Sequence, residues 1–492
     1  MITSEVQTTV RNAGWILVQR LLHVGSGLVF ALLVPRLMGP DVYGRYSLLS
    51  SLAVWFALFS SLNLKDVIGR HVPEFVLQRD SDSLQKLWSD LFTVRLASAV
   101  LTATVFLGIT VVWLRDLDER LLATVAAMIL VRAIADLVFA AFLGFNQAAR
   151  WQLGETVRQW LSVGLVIAGF ALGELQGAVF GLWLTELVVL ALGLYWIRPY
   201  LSWPALHLDV RRSLPHIRFG LILFASGLFH TALAPSAEAL LRTITRDYAA
   251  VGYFGLAWRV LITLSLAITQ VGSAFLPLLA QLHAQGNTEA VGIWLERLLR
   301  YTVIGGTLAS MGVLFLAEDM VPWVLGAEFG PAADSLVWLV LTLIPIALAT
   351  VARLVTLVYL QPQLALGVAA IHLASFWLLA IPLTVWLAEV GSSISMFVAW
   401  ALYAALFTWR ARNVLRYSLR GSLLVIGLAV LFLPLLFLRS SWQINAGLLL
   451  LSLAGYLGIL LWVRVVTVEE AAQLWRAITQ RSRAQGLEAQ GG

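Results

Sequence analysis

The chain has 492 residues, 60% of them hydrophobic and only 12% charged, whereas soluble domains run at about 45–50% apolar and about 25% charged. That composition excludes an ordinary globular protein and supplies around fourteen apolar spans of roughly 20 residues each. The formal charge of +6 comes from 31 arginines and two lysines, which in such a chain points to membrane topology rather than to nucleic acid.

Met1 to Arg11 are polar and include Glu5, and the apolar run that follows is too long for the core of a cleaved signal peptide, so it is read as a first span that stays. The expected spans are 13–34, 45–64, 91–113, 121–144, 153–172 and 177–197, then 217–240, 249–278, 299–317, 335–360, 364–387 and 391–409, and finally 421–438 and 446–463. The runs are continuously apolar and lack the alternation of a membrane barrel. With the N-terminus inside, the inside connections and tails carry about nineteen arginines and lysines and the outside ones about seven. Cations concentrate on the cytoplasmic side of helical membrane proteins, so both termini are expected in the cytoplasm of a bacterial inner membrane.

Six spans precede a linker that contains Pro199, Pro204 and Pro215, and six follow it. A shift of about 208 lays Tyr43-Gly44-Arg45-Tyr46 over Val251-Gly252-Tyr253-Phe254, and one of 207 lays His23 over His230. The reading is an all-α polytopic protein with an internal repeat. Its divisions are an N-terminal six-helix bundle (1–197), a cytoplasmic linker (198–216), a second six-helix bundle (217–412), two additional transmembrane helices (413–464) and a cytoplasmic tail (465–492).

Chemistry is bounded by what is missing. Without cysteine there are no disulfides, thiolate metal sites or cysteine nucleophiles. Lys65 and Lys86 lie outside any glycine-rich loop, so no P-loop forms. The histidines are too dispersed for metal-ligand spacing. No enzyme, metal or cofactor is expected.

Pro35-Arg36-Leu37-Met38-Gly39-Pro40-Asp41-Val42-Tyr43-Gly44-Arg45-Tyr46, echoed by Val251-Gly252-Tyr253-Phe254, Phe275-Leu276-Pro277 and Ala284-Gln285-Gly286-Asn287, resembles bacterial polysaccharide-type flippases of the multidrug/oligosaccharidyl-lipid/polysaccharide exporter superfamily. The final pair of helices resembles the fourteen-helix members. The resemblance implies two pseudo-symmetric six-helix bundles around a central cavity, plus two C-terminal helices. It implies movement of a polyprenyl-pyrophosphate-linked oligosaccharide to the outer leaflet by alternating access, with membrane lipids and, in the cell, a polysaccharide polymerase and glycosyltransferases as partners. A peptidoglycan lipid-precursor flippase and a multidrug or cation antiporter on the same fold are the alternatives.

An ionisable group in the hydrocarbon core costs about 3 kcal/mol on insertion scales, so it faces a cavity or a partner. Arg95, Arg158 and Arg353 lie near the ends of their spans and are expected to snorkel. Arg132 and Asp136 form an i,i+4 pair, with Glu186 at similar depth. These three are read as a buried ion-pair cluster or, alternatively, a coupling site. Arg20 and Arg259 sit roughly 10–15 Å into their helices with no acid within four residues. The resemblance puts both at the central cavity, where a planar guanidinium suits a phosphate and His23 and His230 add donors.

Overall fold

The computed structural model describes residues 2–206, 224, 232–359, 363–415 and 417–465, with the side chains of 2–21, 23–24, 273–274, 277 and 363–366 outside the description. Among the described residues the chain forms thirteen α-helices. They are α1 (Ile2–Ser61), α2 (Leu64–Gln78), α3 (Ser81–Trp113), α4 (Glu119–Gly144), α5 (Ala148–Ile197), α6 (Leu233–Thr245), α7 (Tyr248–Ala284), α8 (Thr288–Leu325), α9 (Ala332–Leu341), α10 (Leu343–Val358), α11 (Gln363–Val414), α12 (Arg420–Val430) and α13 (Trp442–Trp462).

Among the described residues, ten helical stretches are long and apolar enough to cross a membrane. Three of them fold back on themselves, because the backbone leaves helical geometry at Gly39 in α1, at Gly173 and Glu174 in α5 and at Ala388 in α11. Residues on the two sides of each break lie side by side: Phe30 and Tyr46 have ring centroids 6.1 Å apart, and Thr384 Oγ1 is 2.7 Å from Ser392 Oγ. In α5 the two arms touch backbone to backbone, and a Cβ on Gly169 would fall 2.1 Å from the Gly177 carbonyl. Small residues allow helices to approach this closely. Thirteen crossings are thereby described, and the expected seventh span appears from Leu233 onward.

The internal repeat is written into the backbone. Gly39 and Arg246, 207 residues apart, both adopt positive φ at the same turn. Arg79 and Gly286 do so at the next equivalent turn. Asp80 accepts a hydrogen bond from the Ser83 amide at the start of α3, and Asn287 does the same for Ala290 at the start of α8. Each half closes with a folded-back helix, α5 of 50 residues and α11 of 52. The stretch after the second span is a helix, α2, and not a simple connection. Its Leu64, Val67, Ile68 and Val72 share one buried face, the i, i+3, i+4, i+8 spacing of an amphipathic helix, and it packs on α4 and α3.

Helices α1, α3, α4 and α5 pack together as one lobe, and α6 to α11 as another. The lobes meet chiefly where α1 crosses α7, and α12 and α13 lean on α8. Large apolar side chains such as Leu101, Leu378, Trp386 and Phe437 are exposed on the outer surface, as expected of a face that meets lipid. The linker beyond Leu206, His230 and the tail from Val466 lie outside the described residues.

Candidate functional site: a cavity between the lobes

A cavity of about 490 Å³ lies between the lobes. Phe30, Tyr43 and Tyr46 of α1 and Trp258 of α7 give it aromatic walls, and Arg259 lines it from α7. Sequence periodicity alone places these aromatics on buried helix faces; it takes the folding back of α1 at Gly39 to set them around a common space. The Arg259 guanidinium lies 4.2 Å from the centre of the Phe30 ring, a cation–π arrangement that holds a charge without neutralising it. Among the described residues Arg259 forms no ion pair. Arg20 occupies the first arm of α1, but its side chain, like that of His23, lies outside the description, as does His230 altogether.

Glu238, on α6, reads in the sequence only as an alternative, structural partner for Arg20 or Arg259; among the described residues it forms no ion pair with Arg259. Its side chain is buried and lines the same cavity, where it accepts hydrogen bonds from Ser47 Oγ (2.9 Å) and from Ser51 Oγ. Both serines belong to α1, so one carboxylate of the second lobe is held by two hydroxyls of the first. The sequence signal is only an acid in an apolar span; its partners are 191 and 187 residues away.

The opposite wall carries a charged cluster. Arg132 Nη1 is 3.1 Å from Glu186 Oε1, and its Nε is 3.9 Å from Asp136. The structure thus brings Arg132, Asp136 and Glu186 together and adds a fourth group at their centre. Arg158 donates to Asp136 and to Glu155, each at 2.8 Å, and its Nε lies 3.2 Å from Glu186. The expectation that Arg158 snorkels is therefore wrong: it is 6% exposed and faces inward to three acids. Arg95 is likewise misjudged. It is 2% exposed, and its Nε donates to the Ala133 carbonyl at 2.7 Å. Burying a charge is costly unless it is paired and hydrogen-bonded. Arg132 and Arg158 meet that requirement with three acids, while Arg95 meets only a carbonyl; the six side chains sum to a net charge of zero. Arg353, by contrast, is exposed.

One end of the cavity is shut by contacts between the lobes. Arg242 Nη2 reaches Asp116 at 2.9 Å, and Arg36 Nη1 donates to the Val324 carbonyl at 3.0 Å. The guanidinium groups of Arg45 and Arg242 lie 4.8 and 4.3 Å from the Tyr248 ring centre. Below them, the backbones of α1 and α7 touch at Gly44 and Gly252. Among the described residues no group of three or more metal-ligating side chains occurs.

No curated protein matches the chain in sequence. Among solved structures it is similar to the lipid II flippase MurJ in an inward closed conformation, with a TM-score of 0.68 and 11% identity over 93% of this chain and 100% of that one. It is similar also to an inward-facing multidrug resistance transporter of the MATE family and MOP superfamily (TM-score 0.64, 15% identity, 80% of this chain and 94% of that one). The Vibrio cholerae MATE transporter VcmN gives a TM-score of 0.57 at 13% identity, over 84% of this chain and 98% of that one. At these identities the likeness defines the fold. The model of the polysaccharide biosynthesis protein family matches residues 9–283. This multi-pass membrane protein, with its two lobes closed over an arginine-lined cavity, belongs to the polysaccharide biosynthesis protein family.

Proposed function

We propose that the protein is a flippase for a polyprenyl-pyrophosphate-linked oligosaccharide, carried from the cytoplasmic to the outer leaflet by alternating access. The observation that carries this reading is Arg259: a cation without an acid partner among the described residues, facing the cavity between the two lobes. A guanidinium there has free donors for a phosphate, and the surrounding aromatic rings offer flat apolar surface to sugars. Family membership supports polysaccharide assembly as the context. The excess of arginine and lysine in the connections at the Lys65 end supports placing that end in the cytoplasm, so that the end closed by Asp116 and Arg242 faces outward. Rocking of the lobes about their α1–α7 contact then exposes the cavity alternately to the two sides.

Arg20, His23 and His230 belong to this proposal as further donors to the headgroup, on sequence grounds. The test is flipping of a lipid-linked oligosaccharide in proteoliposomes at matched protein insertion. Losing a charge-assisted hydrogen bond costs about 1.5–3 kcal/mol, so Arg259→Ala and Arg20→Ala are each expected to weaken cargo affinity about ten- to a hundredfold. Arg259→Lys is expected to rescue only in part, because a point charge lacks the bidentate fork. Normal transport by both Ala variants would remove the phosphate clamp from the mechanism. Movement of lipid II instead, or of an organic cation, would reassign the cargo to one of the two alternatives on this fold.

A further inference from the structure

A second cavity, of about 350 Å³, lies inside the first lobe and shares Val54, Arg132, Glu155 and Arg158 with the wall of the central one. Asn63, Lys65 and Trp151 line it at the end of the bundle where α1 gives way to α2, and Arg95 lines it deeper in. The charges here are unevenly matched. Asp136 and Glu155 also border the cavity, but Arg158 holds both. Arg132 pairs with Glu186 and Asp136, but neither of the two remaining cations, Lys65 and Arg95, forms an ion pair among the described residues. Lys65 Nζ rests 4.7 Å from the centre of the Trp151 ring, and the neighbouring Asp66 is occupied by the Asn63 amide at 2.6 Å. Arg95 spends its Nε on a carbonyl, and its Nη1 is buried with no hydrogen-bond partner. An unmet donor on a buried guanidinium is a cost that stable proteins normally avoid. Arg95 also lines the cavity, so its charge favours a ligand with several anionic oxygens there, and an exposed ammonium beside an indole is well placed to bring such a ligand in.

We infer that this cavity is an anion subsite for a phosphate or pyrophosphate group, held by Arg95 within and Lys65 at its mouth, through which the headgroup passes before it reaches Arg259. Trp151 offers a flat face beside it on which a sugar ring can stack. The two cavities adjoin, sharing one wall. This assignment rests on the flippase reading for the identity of the cargo but not for the chemistry of the subsite.

The experiment measures calorimetric binding of inorganic pyrophosphate, and separately of a polyprenyl-pyrophosphate oligosaccharide, to the full chain in lipid nanodiscs. Wild type is compared with Arg95→Gln, Lys65→Gln and Arg259→Gln. Each of the first two is expected to weaken pyrophosphate binding about tenfold or more, the loss typical of one charge-assisted hydrogen bond. Arg259→Gln is expected to leave an Arg95-dependent component in place. Lys65 is exposed, so its variant folds even if Arg95→Gln does not insert, and Arg95→Lys supplies a charged control in the interior. Weakening of both ligands identifies the headgroup phosphate as the occupant; weakening of the inorganic ligand alone identifies a free anion. Unchanged affinity for both ligands in Lys65→Gln and Arg95→Gln overturns the subsite. A wild type that binds pyrophosphate through these residues yet flips no lipid-linked oligosaccharide overturns the flippase reading and leaves the subsite standing.

Discussion

Gly44 and Gly252 touch across the lobe interface in a reciprocal way: a Cβ on Gly44 would lie 1.8 Å from the Tyr248 carbonyl oxygen, and a Cβ on Gly252 would lie 2.3 Å from that of Pro40. Tyr248 follows Pro40, and Gly252 follows Gly44, by the same 208 residues. The contact is therefore self-complementary, as contacts on a twofold axis are, and it fixes where the pseudo-symmetry axis of the molecule passes. It also explains why glycine stands at both positions: any side chain drives backbone from backbone.

Gly44→Ala and Gly252→Ala are accordingly expected to pry the closed end apart. The chain contains no cysteine, so a single Met38→Cys reporter, buried beside this contact, reads opening on a silent background. Labelling by a membrane-impermeant maleimide should rise several-fold in either variant. An unchanged rate would show that the glycine contact does not hold the end shut.

The pairing of Asp116 with Arg242 makes a statement about pH. Burial pushes the Asp116 carboxyl up, but Tyr248 and Arg242 beside it more than offset this and hold it below the ordinary carboxylate value. A group whose value is lowered in one state stabilises that state above its unperturbed value, about 3.9, and stops doing so as pH falls through the lowered one. Labelling of the Met38→Cys reporter, divided at each pH by that of the unfolded protein to remove the pH dependence of thiolate reactivity, should then stay flat from about pH 8 to about pH 5 and rise only below about pH 4. Asp116→Asn should raise it at neutral pH. A rise in wild-type labelling between pH 7 and pH 5 would mean that another group governs the closure.

Removing Arg158 takes a partner from three acids in the first lobe, leaving Glu155 with no cation and Asp136 and Glu186 with Arg132 alone. Breaking a buried pair by deleting one partner typically costs about 3–5 kcal/mol, so Arg158→Gln should lower the thermal midpoint of the detergent-solubilised protein clearly. Arg132, which is more exposed and has only two acid partners, should matter less. Adding Glu186→Gln to Arg158→Gln should recover part of the loss, since it restores the charge balance of the cluster and frees Arg132 for Asp136. A double variant no better than the single would mean that Glu186 is not the group left uncompensated.

Ser47 and Ser51 reach Glu238 from the other lobe, so these bonds part when the lobes separate. Glu238→Ala, which leaves two hydroxyls facing an empty space, is expected to weaken the closed arrangement, with faster Met38→Cys labelling. Glu238→Gln, which still accepts a hydrogen bond, should label close to the wild-type rate. Equal labelling of the Ala variant and wild type would show that the hydroxyl pair contributes nothing to closure.

The spans were legible because lipid imposes continuous apolar runs that need no knowledge of neighbours, and the Gly39-Pro40 turn because glycine and proline mark it locally. Helix α2 was legible too, in the spacing of Leu64, Val67, Ile68 and Val72, but its charges and Pro73 read more simply as a connection. Arg132 and Asp136 share one helix face, so their proximity follows from helical geometry alone. The place of Arg158 does not: Glu155, three residues before it, is a local hint, but Asp136 and Glu186 arrive from other spans. Glu238 left no local trace, because its hydroxyl partners come from the other end of the fold.

The neutrality of the Arg95–Arg132–Arg158 cluster with its three acids has an electrical consequence. A charge displaced across a membrane potential exchanges about 2.3 kcal/mol per 100 mV. Six side chains that sum to zero and are held close together exchange almost nothing when the lobe bearing them tilts. The voltage then does little work on this part of the protein, and its work falls on whatever charge crosses unneutralised.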